Sequence, residues 1–293
     1  MALEGTFLKN EPMASHTSWG CGGSAAVFFE PRNMDDLSLF LNSFNEDREI
    51  FWVGLGSNLL VRDKGYDGVV ISTAKFLNQL SWNREATELK AECGVACAKI
   101  ARETAKKNRT GLEFFAGIPG TVGGALQMNA GANGYDTWQN IKSVDVISRK
   151  GIIQTLEKKS FKPGYRKVTG KNNWFVRACF ELKQNSSKDG LEKIKKILLQ
   201  RKNSQPVGSR SCGSVFVNPE NYFAAKLIEE CGLKGVRKGG AIISNKHANF
   251  ILNDRDATAC DIEELINLIK HEVFRIKGIR LECEVKIIGK KTT

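Results

Sequence analysis

Residues 111–134 read GLEFFAGIPGTVGGALQMNAGANG. From Phe114 to Tyr135 the chain runs 22 residues without a charge, long enough for a helix to cross a bilayer. Six glycines, Pro119, Gln127, Asn129 and Asn133 stand inside that run. A spanning helix rarely holds so many breakers and amides together, so no membrane span is expected. The stretch reads instead as backbone brought close to a ligand, where missing side chains make room. Ile118-Pro119-Gly120 marks a turn. Gly120-Thr121-Val122-Gly123-Gly124 then lines up small residues where backbone can touch a diphosphate or a flat ring. No P-loop lysine accompanies them, which argues against phosphoryl transfer. A packed glycine corner is the structural alternative.

A second glycine pair lies upstream, in Val53-Gly54-Leu55-Gly56-Ser57-Asn58-Leu59-Leu60-Val61. Glycines let N–H groups converge on an anion, and Ser57 or Asn58 can donate further bonds. The third glycine of a Rossmann fingerprint is missing, and no long helix follows. A plain turn between strands would look the same.

Downstream, Ser211-Cys212-Gly213-Ser214-Val215-Phe216-Val217-Asn218-Pro219 could expose a hydroxyl at a tight turn. It is not GxSxG, so an acyl-transfer elbow is not supported. Lys246-His247-Ala248-Asn249-Phe250 is similar in texture, and a lone histidine is more often structural than catalytic. Tyr165-Arg166 follows the turn residues Pro163-Gly164, where an arginine could clamp a carboxylate or simply face solvent. Glu282 and Glu284 share one face of an alternating segment.

Strands are expected at Ala25–Glu30, Ile50–Val53, Val69–Ser72, Leu89–Glu92, Val144–Ser148, Ile152–Thr155 and Phe175–Leu182. Helices are expected at Met34–Phe44, with Leu37, Leu39, Phe40, Leu41 and Phe44 apolar, and at Ala96–Lys107, with Cys97, Ile100, Ala101 and Ala105 inward. QNSSKDG at Gln184–Gly190 has linker composition, and a helix at Leu191–Arg201 should turn Ile194, Ile197 and Leu198 inward. Asp261, with Glu264 at the capping-box position, is expected to cap a helix carrying Ile262, Leu265, Ile266, Ile269, Val273 and Ile276. Gly278 should end it, and Leu281–Ile288 should form a final strand. This mixture indicates an α/β or α+β protein.

The whole chain of 293 residues has ordinary globular composition, with 41% hydrophobic and 26% charged residues. Its net charge is +12, from 44 basic and 32 acidic side chains, a field that attracts polyanions or phosphorylated small molecules. The basic residues are dispersed, so no nucleic-acid partner is indicated. Eight cysteines include no CxxC pair, and with three histidines they offer no zinc spacing, so no metal is expected. Glu4, Lys9 and Glu11 stand where a signal peptide would be apolar, which suggests a reduced, cytoplasmic protein.

In this order and spacing the motifs resemble the UDP-N-acetylenolpyruvoylglucosamine reductase family, flavoproteins of bacterial wall synthesis. The resemblance runs from Thr17-Ser18-Trp19 to Gly289. It implies an α+β fold: a two-lobed FAD-binding fold of the vanillyl-alcohol-oxidase type plus a C-terminal α+β substrate-binding domain. The implied boundaries are 1–72 and 73–188 for the FAD lobes and 189–293 for the substrate domain. The short span between Tyr165-Arg166 and Ser214 resembles the family's compact subclass.

The cofactor implied is non-covalent FAD, with NADPH as reductant and UDP-N-acetylglucosamine enolpyruvate as substrate. Carried over by motif, FAD would be held by Gly54, Gly56, Ser57, Asn58, Leu59, Gly117, Ile118, Pro119, Gly120, Gly123, Gly124, Asn129 and Gly131. Tyr165, Asn218, His247 and Asn249 would bind substrate. Ser214 would be the proton donor, Arg166 the catalytic arginine and Glu284 the catalytic glutamate. Two positions depart from the family pattern: Val168 stands where a serine is common, and Val217 where a lysine is common. Two other readings stay open: a different FAD oxidoreductase on the same fold, or a non-catalytic nucleotide-binding module.

Overall fold

The computed structural model describes residues 2–44, 47–132, 134–170 and 174–291. Short strands and helices alternate irregularly along the chain, an α+β arrangement. One four-stranded sheet has the order Thr6–Pro12, Ser24–Glu30, Tyr66–Ser72, Ile50–Val53.

The chain divides into two compact units, and neither is contiguous in sequence. The first comprises residues 1–8, 28–54 and 70–200. Its main sheet has five strands in the order Ile153–Glu157, Ile141–Ile147, Trp174–Glu181, Glu88–Glu92, Leu80–Trp82, each antiparallel to its neighbour. Alternation along these strands buries Leu89, Ala91, Val144, Val146, Ala178 and Phe180. Helix Cys97–Lys106 adds Cys97, Ile100, Ala101 and Ala105 to the same core, as its apolar spacing predicts. Trp138 anchors that core, with ring centroids 5.0 Å from Phe161 and 5.7 Å from Phe175. Helix Met34–Ser43 is capped by Asn33, whose side chain accepts from the Asp36 N–H, and it buries Leu37, Phe40 and Leu41. Leu39 and Phe44 are half-buried.

The second unit comprises residues 9–27, 55–69 and 201–293. Strands Arg237–Lys238, Ala241–Ile243 and Ile251–Asn253 form an antiparallel sheet, and helix Ala259–Lys277 buries Ile262, Leu265, Ile266, Ile269 and Val273 in the same core. Strand Leu59–Val61 runs parallel to Lys286–Ile288. Arg62 continues that strand and makes a bidentate pair with Glu263 at 2.8 Å on both nitrogens, while its third nitrogen donates to Gly289 O at 2.7 Å. Trp19 is fully buried; its indole donates to Ile251 O at 2.8 Å, and Asn253 Nδ2 donates to Trp19 O at 2.7 Å.

Several local expectations need correction. Thr258, not Asp261, caps the long helix; Asp261 is its capping-box partner, reaching back to the Thr258 N–H, so the box lies three residues earlier. Ile276 is 45% exposed and outside the buried stripe, two residues before the C-cap at Gly278. The final strand covers only Lys286–Ile288, and Cys283 makes a single bridge to Phe216. The 184–190 stretch is exposed at Gln184, Ser186, Ser187 and Lys188 but anchored at two points: Asn185 is buried, and a Cβ on Gly190 would lie 3.0 Å from that of Ala105. The helix that follows, Gly190–Ser204, buries Ile194, half-buries Ile197 and leaves Leu198 exposed.

Candidate functional site

Within the first unit, the glycine segment is a chain of tight turns. Gly111 adopts φ 111°, and the buried Glu113 carboxylate accepts from the Gly111 N–H and the Thr110 hydroxyl, both at 2.8 Å. Residues Glu113–Gly117 form a 3-10 turn, and the chain then turns through Ile118-Pro119-Gly120 into helix Val122–Met128. Gly123 N–H donates to Cys93 O at 2.8 Å, and a Cβ there would sit 3.0 Å from the Cys93 Cβ. Gly123 is therefore set by packing. Gly124 differs: it is exposed, and no atom lies within 4 Å of where its Cβ would be. Gly117 is half-buried beside Ile197, while Pro119 is exposed.

Asn129 ends the helix in the left-handed region at φ 41°. Its carboxamide Nδ2 donates to Gly164 O at 3.0 Å, and its Oδ1 accepts from the Trp138 N–H at 3.2 Å. Gly164 opens a two-residue hairpin loop, Tyr165-Arg166, between strands Phe161–Gly164 and Lys167–Gly170. Arg166 takes φ 54°, uncommon for a residue with a side chain, and its Nη1 donates to Gly131 O at 3.3 Å. Its guanidinium lies 5.3 Å from the Tyr165 ring centroid, and Tyr165 is 60% exposed. Asn129, Gly131, Tyr165 and Arg166, some 35 residues apart, are thus assembled together. Val168, where the family commonly has serine, packs against the core.

Within the second unit, Gly56 adopts φ 63°, and any Cβ there would strike His16 O. Ser57 and Asn58 are half-buried and Leu59 is buried. Asn58 Nδ2 donates to Glu284 O at 3.1 Å, and Asn58 O accepts from the Lys286 N–H at 3.0 Å. The Glu284 N–H donates to Val215 O at 2.8 Å, one residue beyond Ser214. Ser214 is half-buried behind Gly213, which has φ 72° and open space around its Cβ position.

Cys212 in the same loop is buried, its thiol facing Gly56 O and Leu59 O at 3.5 Å, and burial pushes its pKa up to about 12. Asn218 is exposed, and its Oδ1 accepts from the Ala224 N–H at 3.0 Å, at the start of helix Ala224–Glu230. His247 stacks edge-on against Phe250, with centroids 4.8 Å apart. Its Nδ1 is buried without a hydrogen-bond partner, and burial holds its pKa below 6.5. Asn249 is buried, with its carboxamide directed at the backbone of Phe216.

Two supporting residues escape sequence reasoning. Thr121 fills the space beside Gly54, and Glu113 ties the entry to the glycine segment. The available signal for Glu113 was an acid immediately preceding an uncharged run. A cleft of about 810 Å³ on the first unit is lined by Lys142, Glu157, Lys158, Lys159, Phe161 and Pro163. It contains none of the predicted site residues, and its lysines are engaged with Glu88, Gln139 O and Glu157. Among the described residues, no group of His, Cys, Asp or Glu could hold a metal, all eight cysteines are free thiols, and no helix is long and apolar enough to cross a membrane.

Residues 25–157 match the family described as FAD binding domain. Together with the glycine segments, this defines an FAD-dependent oxidoreductase with a distinct C-terminal domain. Residues 205–288 match the C-terminal domain of UDP-N-acetylenolpyruvoylglucosamine reductase. The protein of that name from Legionella pneumophila (strain Lens) is 47% identical over 98% of this chain and 93% of its own length. The one from Methylococcus capsulatus is 47% identical over 97% of this chain and 94% of its own. The crystal structure of the reductase from Thermus caldophilus superposes with a TM-score of 0.83, at 28% identity, over 98% of this chain and all of that one. The chain belongs to the UDP-N-acetylenolpyruvoylglucosamine reductase family.

Proposed function

We propose that this flavoprotein reduces the enolpyruvyl group of UDP-N-acetylglucosamine enolpyruvate to give UDP-N-acetylmuramate, a peptidoglycan precursor, with NADPH as the electron source. The observation that carries this reading is identity of 47% with named reductases across 98% of the chain. A nucleotide-sugar substrate and NADPH are both polyanionic, which suits a chain of net charge +12, and a cytoplasmic location belongs to the same proposal. We keep the lobe boundaries 1–72, 73–188 and 189–293 as part of the same proposal.

The residues present fit FAD. At Gly124 the backbone is exposed with nothing where a side chain would be, as a flat or phosphorylated group requires. Gly117, Ile118, Pro119, Gly120, Gly124, Asn129 and Gly131 would hold it through backbone, with Ser57 and Asn58 as donors, while Gly54, Gly56, Leu59 and Gly123 shape the turns. Bound and reduced, FAD supplies hydride.

The chain's own residues handle the charge and the proton. Hydride addition to the methylene carbon of the enol ether leaves an enolate-like intermediate with charge on the substrate carboxylate. Arg166, held at a strained φ of 54°, offers a guanidinium to that charge. Ser214 donates its hydroxyl proton to the adjacent carbon, and Glu284 shares in returning the proton. Tyr165, Asn218 and His247 are proposed to contact the substrate. The test is anaerobic: NADPH should bleach the flavin absorbance, and the enolpyruvyl substrate should restore it. A protein without flavin, or a reduced flavin that this substrate leaves bleached, would refute the reading.

A further inference from the structure

Ser214 and Glu284 lie on segments joined by backbone hydrogen bonds, Glu284 N to Val215 O at 2.8 Å and Val217 N to Glu282 O at 3.0 Å. These bonds occupy one edge of residues 215–217. On the other edge, among the described residues, no strand is paired. A single residue takes its place: Asn249 Oδ1 accepts from Phe216 N at 2.9 Å, Asn249 Nδ2 donates to Phe216 O at 2.9 Å, and Asn249 O accepts from Val215 N at 2.9 Å. Asn249 is 4% exposed, and Val215 and Phe216 are buried with it. Only one orientation of the carboxamide satisfies both Phe216 groups. Upstream, a Cβ on Gly213 would meet nothing, and the buried Cys212 thiol on Gly56 O and Leu59 O anchors the loop two residues before Ser214, so the Asn249 clamp is the hold on its C-terminal side.

We propose that Asn249 is a positioning residue: its carboxamide clamps Phe216 and so sets Ser214 against Glu284 for proton delivery, rather than binding substrate. The proposal rests on the enolpyruvyl reduction above. A 1 Å misplacement of a reacting group can cost about a hundredfold in rate. Leaving the buried Phe216 carbonyl without its donor supplies the cause of such a shift.

The experiment uses the FAD-loaded full chain and the variant Asn249→Asp, which keeps size and replaces the N–H donor with an acceptor. NADPH reduction of the flavin should stay within about twofold of the parent. Reoxidation at saturating enolpyruvyl substrate should slow by about a hundredfold, while the substrate dissociation constant changes by less than about threefold. Lowering the pH should bring the variant back toward the parental rate, because a protonated carboxyl can again donate to Phe216 O.

Where Asn249→Asp loses its flavin or its cooperative unfolding, Asn249→Gln serves instead; it keeps both groups one methylene too far out and should slow reoxidation without pH rescue. Parental reoxidation in a folded variant would overturn the proposal. So would weakened substrate binding at an unchanged limiting rate, which would make Asn249 a substrate contact. A parent enzyme that the enolpyruvyl substrate does not reoxidise would overturn the activity itself, and the positioning role with it.

Discussion

The Thr121 side chain occupies the space that any side chain on Gly54 would need: a Cβ at Gly54 would lie 2.9 Å from Thr121 Cγ2 and closer still to Oγ1. The two glycine-rich segments, 67 positions apart by residue number, therefore meet at this point. Gly54 is a glycine because of its neighbour and not because of its φ, which is not positive.

That contact can be measured as a pair. Gly54→Ala should destabilise the protein by about 1–3 kcal/mol through overpacking. Thr121→Ala removes both crowding atoms, so the double variant should recover much of that loss. Chemical denaturation of the four proteins gives the coupling; simple additivity would mean that the two sites do not feel each other.

Gly123 and Gly124 should separate packing from binding. Gly123→Val drives a side chain into Cys93 and should cost roughly 1–3 kcal/mol of stability. Gly124→Val meets nothing and should leave stability within about 1 kcal/mol. FAD titration of the apoprotein should show weaker binding for Gly124→Val. Unchanged affinity there would place the cofactor elsewhere.

Ser214 and Cys212 compete as proton donors on paper, since a free thiol is far more acidic than a hydroxyl. Burial reverses that choice: the Cys212 thiol is raised to about 12 and faces carbonyl oxygens. Ser214→Ala should slow reoxidation by the enolpyruvyl substrate by about 10² to 10⁴ while sparing flavin reduction. Cys212→Ala should stay within about tenfold of the parent. Stopped-flow traces with the two effects exchanged would reassign the donor.

His247 should make stability pH-dependent. Burial favours its neutral form, with Lys234 also disfavouring the cation and Glu229 opposing, so the folded pKa lies below 6.5. Below pH 6.5 the unfolded chain takes up this proton more readily than the folded one. The stabilisation is complete above that pH and is lost as pH falls, until the folded imidazole also protonates. Melting temperatures of the parent and of His247→Gln across pH 5–8 should converge toward low pH relative to their difference at pH 8. A constant difference would show that the group titrates normally.

Periodicity along single elements was enough for much of the secondary structure. Leu37, Phe40 and Leu41, the 97–105 stripe, and Ile262 to Val273 repeat at helical spacing, and each is buried as that spacing requires. Gly278 adopts the left-handed C-cap at φ 71° that a helix-ending glycine suggests. The motif order alone was specific enough to identify the family.

Other features depended on partners distant in sequence. The capping register shifted to Thr258 because Thr258 and Asp261 satisfy each other's N–H groups, whereas Asp261 with Glu264 would only have matched a pattern. Residues 9–27 join the 201–293 unit because Trp19 is buried there, its indole bonded to Ile251 O across 232 positions. Asn249 looked like a ligand contact, yet both ends of its carboxamide serve Phe216. A sequence shows which residues carry donors, acceptors and apolar surface. Which groups those donors and acceptors satisfy is decided only when folding brings segments together, because a buried polar group must find its partner wherever the chain has placed one.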